Sequence, residues 1–339
     1  MPQRFDIAQE ITDAIIARLE AGTKPWEQPW SCGPLARPLR SCGTPYRGMN
    51  ILLLWMKAQS AGFTSPYWMT YRQAALFGAQ VRQGEKATHA VFYKKLGSGD
   101  STDTDAASDG SDSPPARSGR VLRSFAVFNA DQIDGLPARY QPAPTHVSAD
   151  DPVADQSRLA ALLEAIPIPV IHEGARAYYR PSTDMITLPP VADFTHYHGY
   201  ASTRLHESAH GTGHKSRLAR DFTGRFGSEG YGFEELVAEL ASAIFGAAIG
   251  LPVSLIDNHA SYVASWLKVL KSDRNAVLHA AARAQDACDM MLDWMGIGAC
   301  STGNIGGACS TGGASSTGGT AGGDTLRGDG SDVPLHEAA

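Results

Sequence analysis

The stretch His206-Glu207-Ser208-Ala209-His210 places two histidines four residues apart, with a glutamate directly after the first. Residues four apart lie on one face of an α-helix, so both imidazoles can reach a single tetrahedral metal ion. Glu207 would project beside them, where its carboxylate can take a proton from a water molecule on the metal. The stretch therefore predicts a Zn²⁺ site with His206 and His210 as metal ligands and Glu207 as the catalytic general base.

A third ligand is expected on a helix predicted over residues 231–249. Glu235 and Glu239 lie one helical turn apart on the same face, whereas Glu234 points about 100° away from Glu235. Carboxylates on the inward side of an Ala- and Leu-rich helix are costly to bury unless a positive charge compensates them. We therefore assign Glu235 as the third metal ligand and Glu239 as the acceptor that orients a ligand histidine. Which of the three carboxylates binds the metal stays open at this point.

Less specific interpretations of these residues also stay open. The His-Glu-x-x-His pattern occurs by chance on surface helices that bind no metal. Glu235 and Glu239 can also be solvated, or they can pair with Arg217 or Arg220.

Neighbouring side chains could belong to the surroundings of the same site. His214 follows His210 by four residues, but Gly211-Thr212-Gly213 should end the helix between them. We therefore place His214 near the metal ligands rather than among them. Tyr178 or Tyr179, on a predicted strand, could donate to an oxyanion, although tyrosines in strands mostly pack.

The overall composition is that of a globular protein with about two domains. The chain has 339 residues, of which 43% are hydrophobic and 19% charged, enough to bury substantial cores. It has no run of eighteen apolar residues and no signal-peptide layout at its start, so we expect a soluble, cytoplasmic protein without a membrane partner. The five cysteines are odd in number and form no close pair, which favours reduced thiols.

Positive charge is concentrated in the amino-terminal part of the chain. The net charge is −6 overall, yet residues 1–97 carry twelve Lys and Arg against six Asp and Glu. Aromatic residues are interleaved with these cations. This pattern suits single-stranded nucleic acid, because cations neutralise phosphates while exposed rings stack on bases. The alternative is that most of these rings form the core of a small domain.

Hydrophobic periodicity predicts an α+β fold with a small α+β part followed by a mainly helical part. We expect a domain at 1–135, a linker at 136–152, a mainly helical domain with a short β-sheet at 153–297, and a disordered Gly/Ser/Thr-rich tail at 298–339. Within the first domain, strands at 90–94 and 122–128 should pair across a mobile insertion at 97–119.

Capping residues predict where two of the helices begin. Thr70 is a possible N-cap for a helix assigned to 67–76, and Ser202 or Thr203 can cap a helix over about 201–213.

Several stretches of the chain, in order, resemble the ArdC-type antirestriction proteins of conjugative plasmids. The stretches that carry the resemblance are Pro25-Trp26 with Pro29-Trp30, Pro45 to Asn50, Trp68 to Ala74, Val81 to Lys86, Val127 to Ile133, Leu205 to His214, Glu234 to Glu239 and Ser261 to Leu267. The resemblance implies a single-stranded-DNA-binding domain followed by a zincin-like metallopeptidase domain. It also implies entry into a recipient cell with transferred DNA, which the protein shields from restriction.

The resemblance and the interleaved charges together nominate residues for the contact with single-stranded DNA. They are Trp26, Trp30, Tyr46, Arg47, Asn50, Trp68, Arg72, Arg82 and Lys86. The protein that the metal site would cleave or recognise is not specified by the residues.

Two alternatives differ in what the metal does. One is a non-enzymatic protein that coats single-stranded DNA and holds a structural zinc. The other is a protease that repairs DNA–protein crosslinks.

Overall fold

The computed structural model describes residues 7–24, 26, 37–95, 120–141, 152–222, 228–251 and 260–297. The helices in these ranges are α1 (Ile7–Glu20), α2 (Met49–Ala61), α3 (Tyr71–Leu76), α4 (Pro152–Glu164), α5 (Tyr197–Thr212), α6 (Glu229–Ile249), α7 (Ala260–Ser272) and α8 (Ala276–Trp294). The strands are β1 (Leu39–Arg40), β2 (Tyr67–Met69), β3 (Gln80–Val81), β4 (Thr88–Lys95), β5 (Arg120–Asn129), β6 (Ile133–Asp134), β7 (Val170–His172), β8 (Tyr178–Arg180) and β9 (Met185–Leu188). The predicted insertion and tail, and most of the predicted linker, lie outside the described residues.

A four-stranded sheet of order β1-β2-β5-β4 forms the frame of the amino-terminal half. β1 pairs in parallel with β2, and the other neighbours are antiparallel. β4 and β5 stay in register from Thr88↔Val127 to Lys95↔Arg120, which confirms the predicted pairing across the insertion. α2 packs on this sheet, and Asn50 on α2 ties it to β4 by bonding both the backbone N–H and the carbonyl of Val91.

The predicted helix at 67–76 is wrong in its first residues. Residues Tyr67–Met69 form strand β2, in which Trp68 pairs with Asn129 of β5. Thr70 then caps α3: its side chain accepts from the Gln73 N–H at 3.2 Å, and the Gln73 side chain accepts from the Thr70 N–H at 2.8 Å. Because an N-cap residue lies outside the helical turn that it closes, the helix cannot include the residues before Thr70.

Helix α5 begins at Tyr197, nearly two turns before its predicted cap at Ser202 or Thr203. His196 occupies the N-cap position without a side-chain hydrogen bond, so Ser202 and Thr203 are not caps. Both lie inside the helix, where the Thr203 hydroxyl donates to the Gly199 carbonyl at 3.0 Å. This back-bonding is the usual alternative for a threonine within a helix.

Helix α6 is the centre of the carboxy-terminal half. It begins at the Ser228 cap and ends at Gly250, whose φ of +76° lies in the left-handed region that favours glycine. A helix that is apolar on nearly all sides belongs in a core, and α6 packs against α5, α7 and α8. Its residues Leu236, Leu240 and Phe245 are fully buried. Glu234, Glu235 and Glu239 on this helix are therefore carried into the protein interior.

A three-stranded sheet of order β7-β9-β8 lies beside α5. β7 runs parallel to β9 and β8 antiparallel to it. Helix α5 therefore contacts both this sheet and α6.

The two halves share one hydrophobic cluster rather than separate large cores. The cluster includes Ile15 of α1, Trp55 of α2, Phe245 of α6 and Trp266 of α7. Trp26 belongs to it as well and meets Trp266 edge-on at 5.6 Å. Aromatic residues from sequence-distant segments therefore join the halves in a continuous core.

The mixture of helices and small sheets confirms the predicted α+β class. Among the described residues, none of the helices is long and apolar enough to cross a membrane.

Candidate metal centre

Helix α5 presents both motif histidines to one point in the interior. The Nε2 atoms of His206 and His210 lie 3.2 Å apart, and the two rings meet edge-on. The side chains of both histidines are 2% or less exposed, and Glu207 between them is 1% exposed. The i, i+4 spacing therefore brings two imidazole nitrogens together in a site closed to bulk water.

Glu235 of α6 completes a group of three ligand atoms with these histidines. Its Oε2 lies 3.5 Å from His206 Nε2, and its Oε1 lies 3.6 Å from His210 Nε2. Ligand atoms about 2.0–2.2 Å from a tetrahedral zinc ion lie roughly 3.3–3.6 Å from one another. The observed separations of 3.2 Å between the two nitrogens and of 3.5 and 3.6 Å from each nitrogen to its nearer Glu235 oxygen are close to this spacing, so the group has the dimensions of a site for one metal ion.

The nitrogens on the far side of both rings face carboxylates. His206 Nδ1 lies 3.7 Å from Glu239 Oε2, and His210 Nδ1 lies 3.3 Å from Glu234 Oε1. A carboxylate at this position fixes the tautomer and the orientation of a ligand histidine. Glu239 lies beside His206 at a distance longer than a hydrogen bond, so its predicted role as acceptor for that histidine stays a prediction. The contact of Glu234 was missed, because the 100° offset from Glu235 directs it to the other histidine.

Arg220 holds the two metal-site helices together. Its guanidinium donates to both Glu234 oxygens, at 2.7 and 3.0 Å, and to the Ala209 carbonyl on α5 at 2.7 Å. The pair is buried, with 3% side-chain exposure on each partner. Burial would raise the pKa of Glu234, but the charge of Arg220 and the hydrogen bond with His210 outweigh it and lower that pKa. Gly213 makes room for this arrangement, since a Cβ there would lie 2.9 Å from the guanidinium.

The acidic surroundings favour positive charge at the centre. Burial alone would lower the pKa of His210, but the carboxylates of Glu235 and Glu234 outweigh it and raise this pKa to about 10. In the absence of metal, a proton on the imidazole supplies the compensating charge. A divalent cation would take over this role, so the donor set and its electrostatics fit a metal ion.

Two tyrosines near Glu235 were not identified from the sequence as site residues. The Tyr231 hydroxyl contacts the Tyr262 hydroxyl at 3.3 Å, and both phenols lie within the electrostatic influence of Glu235. Burial and the charge of Glu235 raise the pKa of both phenols, so they stay protonated donors. Their only sequence signal is an aromatic residue in each of two apolar helices.

The tyrosine proposed from the sequence is engaged elsewhere. Tyr179 is fully buried and its hydroxyl donates to Asp184 at 2.8 Å. Arg217 also binds Asp184, at 3.0 Å through Nη1, so Arg217 does not neutralise the metal-site carboxylates. His214 joins this network, 3.7 Å from Asp184 and 2.7 Å from the Ser216 hydroxyl. The described side-chain contacts of His214 are thus outside the group of ligand atoms, and its expected place near the metal ligands stays a prediction.

Three of the aromatic residues nominated for DNA are in the core. Trp26, Tyr46 and Trp68 are 3% or less exposed. A ring that is buried on both faces cannot stack on a base, so in this structure the core interpretation holds for these residues. Trp30 lies outside the described residues.

The nominated polar residues divide into structural contacts and exposed cations. Asn50 is occupied by the backbone of β4. Arg47 pairs with Asp289 of α8 at 3.2 Å, and Arg82 pairs with Glu85 at 3.0 Å. Arg72 and Lys86 are exposed.

A different set of rings is exposed around α3. Tyr71 is 51% and Phe77 36% exposed, next to the exposed Leu76. The guanidinium of Arg139 lies 5.5 Å from the centre of the Phe77 ring. We call Tyr71, Arg72, Leu76, Phe77 and Arg139 the α3 surface.

Comparisons with known proteins match two families to successive parts of the chain. Residues 157–283 match the family described as zincin-like metallopeptidase, and residues 5–128 match the N-terminal domain of anti-restriction factor ArdC. Fold and site thus define a protein that joins an ArdC-type amino-terminal domain to a zincin-like domain.

Full-length relatives identify the family. The chain is 39% identical over 294 residues to the uncharacterized protein y4eC of Sinorhizobium fredii, covering 84% of this chain and 91% of that protein. It is also 39% identical to the antirestriction ArdC protein from the R388 plasmid. The metal-free crystal structure of that protein matches with a TM-score of 0.71 over 87% of this chain and 99% of the other. The chain therefore belongs to the ArdC antirestriction protein family.

Two further comparisons bear on the metal and on the genetic context. A Mn(II)-bound crystal structure of the R388 ArdC protein matches with a TM-score of 0.69 over 86% of this chain and 98% of that one. The DNA primase TraC of Escherichia coli is 39% identical over 295 residues, which is 84% of this chain but only 27% of the primase. The chain thus spans about a quarter of that relative.

Proposed function

We propose that this antirestriction protein binds single-stranded DNA through its amino-terminal half and hydrolyses peptide bonds at a zinc site in its carboxy-terminal half. The observation that carries the enzymatic part is the buried group of His206, His210 and Glu235, in which the two nitrogens are 3.2 Å apart and each lies 3.5 or 3.6 Å from its nearer carboxylate oxygen. Nitrogen and carboxylate donors in this number suit a catalytic zinc with one position left open.

In the proposed hydrolysis, different residues of the chain have different chemical roles. A bound zinc ion would act as a Lewis acid and lower the pKa of water at its open position. Glu207 takes the proton from the attacking water as the C–O bond forms, and it delivers the proton to the leaving amine as the C–N bond breaks. Tyr231 and Tyr262, protonated and close to Glu235, are the candidates to donate to the oxyanion.

The α3 surface supports the DNA-binding part of the proposal. Its exposed rings offer faces for unpaired bases, and Arg72 and Arg139 lie beside them to neutralise phosphates. We assign stacking to Tyr71 and Phe77 in place of the buried Trp26, Tyr46 and Trp68.

Substitution of Glu207 by Gln tests the catalytic role. The change keeps the shape of the side chain but removes the base. With zinc-loaded protein and fluorescently labelled casein, we expect hydrolysis to fall by about 10²–10⁴-fold, while the zinc content measured by elemental analysis stays the same. Hydrolysis that survives the substitution unchanged would contradict the assignment of Glu207.

A second function is favoured by the burial of the site. Glu207 is 1% and Glu235 0% exposed, and a metal ion shielded from solvent in this way can stabilise the fold without meeting a substrate. On this interpretation the protein coats single-stranded DNA and the metal only stabilises the fold. It predicts that chelation lowers the unfolding temperature, and that Glu207→Gln protects single-stranded DNA from restriction as well as the wild type does.

A further inference from the structure

One carboxylate links the metal centre to the amino-terminal half of the chain. Glu239 Oε2 faces His206 Nδ1 at 3.7 Å, while Glu239 Oε1 accepts a hydrogen bond from the Trp26 indole at 3.1 Å. The Lys24 ammonium lies 3.5 Å from the same Oε1. Trp26 and Glu239 are both fully buried, and 213 positions separate them in the sequence.

Packing fixes the two donors in place. The Trp26 ring meets the Trp266 ring edge-on at 5.6 Å, and the Lys24 ammonium lies 6.0 Å from the centre of the Trp266 ring. The Lys24 side chain is only 12% exposed. Donors anchored in this way act from a defined direction, unlike the mobile cations of a protein surface.

A buried carboxylate needs donors if it is to serve a ligand histidine. Hydrogen bonds and a nearby cation favour the ionised form of a carboxylate and fix its rotation. An ionised, oriented carboxylate in turn holds the N–H of the histidine behind the metal and makes the opposite nitrogen a better ligand. The described contacts of Trp26 and Lys24 are with Oε1 of Glu239, whereas Oε2 lies 3.7 Å from His206 Nδ1, close enough for a small shift on metal binding to bring the two into hydrogen-bond distance.

We propose that Lys24 and Trp26 are positioning residues of the metal centre. Through Glu239 they hold His206 in its ligating orientation, so the amino-terminal half sets part of the metal affinity of the carboxy-terminal half. The inference rests on the proposed zinc site. It goes further, because it makes that site incomplete without a segment that precedes the zincin-like domain.

The decisive variant is Trp26→Phe in the full-length chain, since phenylalanine keeps an aromatic ring in the core but cannot donate to Glu239. We expect the zinc dissociation constant, measured by competition with a chromophoric chelator, to rise about 10–100-fold, as for other partners of ligand histidines. Lys24→Met, which keeps the aliphatic stem, should give a smaller rise.

Trp68→Phe is the matched control. Trp68 is as buried as Trp26 and belongs to the same hydrophobic cluster, but its described contacts are with Phe63 and Asn129 of the amino-terminal half. The substitution Trp68→Phe should lower the unfolding temperature of the metal-free protein while leaving zinc affinity unchanged. An equal loss of zinc affinity in both variants would overturn the proposal, because general destabilisation would then account for it.

A double-mutant cycle separates positioning from packing. In a Glu239→Gln background, Trp26→Phe should cause little further loss of zinc affinity, since the carboxylate through which it acts is gone. Additive losses would overturn the proposal. The proposal would also be overturned if Trp26→Phe binds zinc normally and hydrolyses casein faster. Trp26 would then cover the metal site rather than position its ligands.

Failure of the proposed function has a separate signature. If the wild type binds no zinc, the zinc site itself is refuted. If the wild type binds zinc and Trp26→Phe binds it equally well, only the inference about Trp26 is refuted.

Discussion

The metal centre and the α3 surface differ in how their side chains are held. At the metal centre, His206, His210 and Glu235 are almost fully buried, and one ligand atom from each lies within 4.8 Å of the other two. On the α3 surface, Tyr71 and Phe77 are more than a third exposed. A buried site is ordered before its ligand arrives, whereas an exposed surface gains order when the ligand binds. Substitutions should therefore change stability and binding together at the first region, and binding alone at the second.

The largest effect is expected where a buried ion pair supports the metal centre. Arg220→Met leaves the Glu234 carboxylate buried without its guanidinium, and removal of one partner from such a pair costs about 3–5 kcal/mol. Urea unfolding of the metal-free protein measures this loss, and zinc affinity should fall as His210 loses its oriented partner.

The α3 surface supplies the control for Arg220→Met, because binding there should not depend on the metal centre. Affinity for a single-stranded oligonucleotide should stay unchanged under conditions in which the variant is folded. The double variant Arg220→Met with Glu234→Gln should recover part of the lost stability, because the unpaired charge is removed as well. If the double variant is less stable than Arg220→Met, the pair is not the source of the effect.

A smaller effect, confined to binding, is expected on the α3 surface. Tyr71→Ala removes an exposed ring, and stacking on an aromatic residue contributes about 1–3 kcal/mol per base. Fluorescence anisotropy with a labelled oligonucleotide should report weaker binding, with unchanged zinc affinity. Tyr71→Phe keeps the ring and should bind like the wild type. Normal binding by Tyr71→Ala and Phe77→Ala together would place the DNA elsewhere.

The smallest effect concerns Asp184, at the edge of the metal-site half. Partial burial would raise the pKa of Asp184, but hydrogen bonds from Arg217 and Tyr179 outweigh it and lower this pKa. A lowered pKa stabilises the folded state above the unfolded-state pKa of about 3.9, and this contribution disappears as the pH falls through the folded-state value.

Asp184→Asn should therefore cost at most about 1 kcal/mol at neutral pH. The difference from the wild type should shrink below about pH 4. Urea unfolding at a series of pH values checks this, and a difference that grows toward acid would contradict the assigned sign.

The metal centre was predictable because its signals are local. The spacing of His206 and His210 fixes a common helix face, and the acidic residues in the apolar helix α6 mark it as a partner. What periodicity cannot show is which carboxylate meets which ring. Glu234 points about 100° away from Glu235 around the helix axis, which argues against it as a ligand beside Glu235. The same offset directs its carboxylate to His210.

The DNA-binding residues were harder to predict, because an interleaved pattern of rings and cations does not distinguish a core from a surface. Trp26 and Tyr71 look alike in the sequence, yet one is fully buried and the other half exposed. The burial of Trp26 depends on Trp266 and Glu239, more than two hundred residues away. Pairing of β4 with β5 was predictable across the insertion, since alternation within each strand is again a local signal.

The continuous core has a consequence for how such proteins can be rearranged. A chain cut between the two matched regions would expose the rings of Trp26 and Trp266 to water and would separate Glu239 from its donors. Genetic exchange that joins one of these regions to an unrelated domain would therefore produce a poorly folded protein that is prone to aggregation. The two regions have to be inherited as a single block.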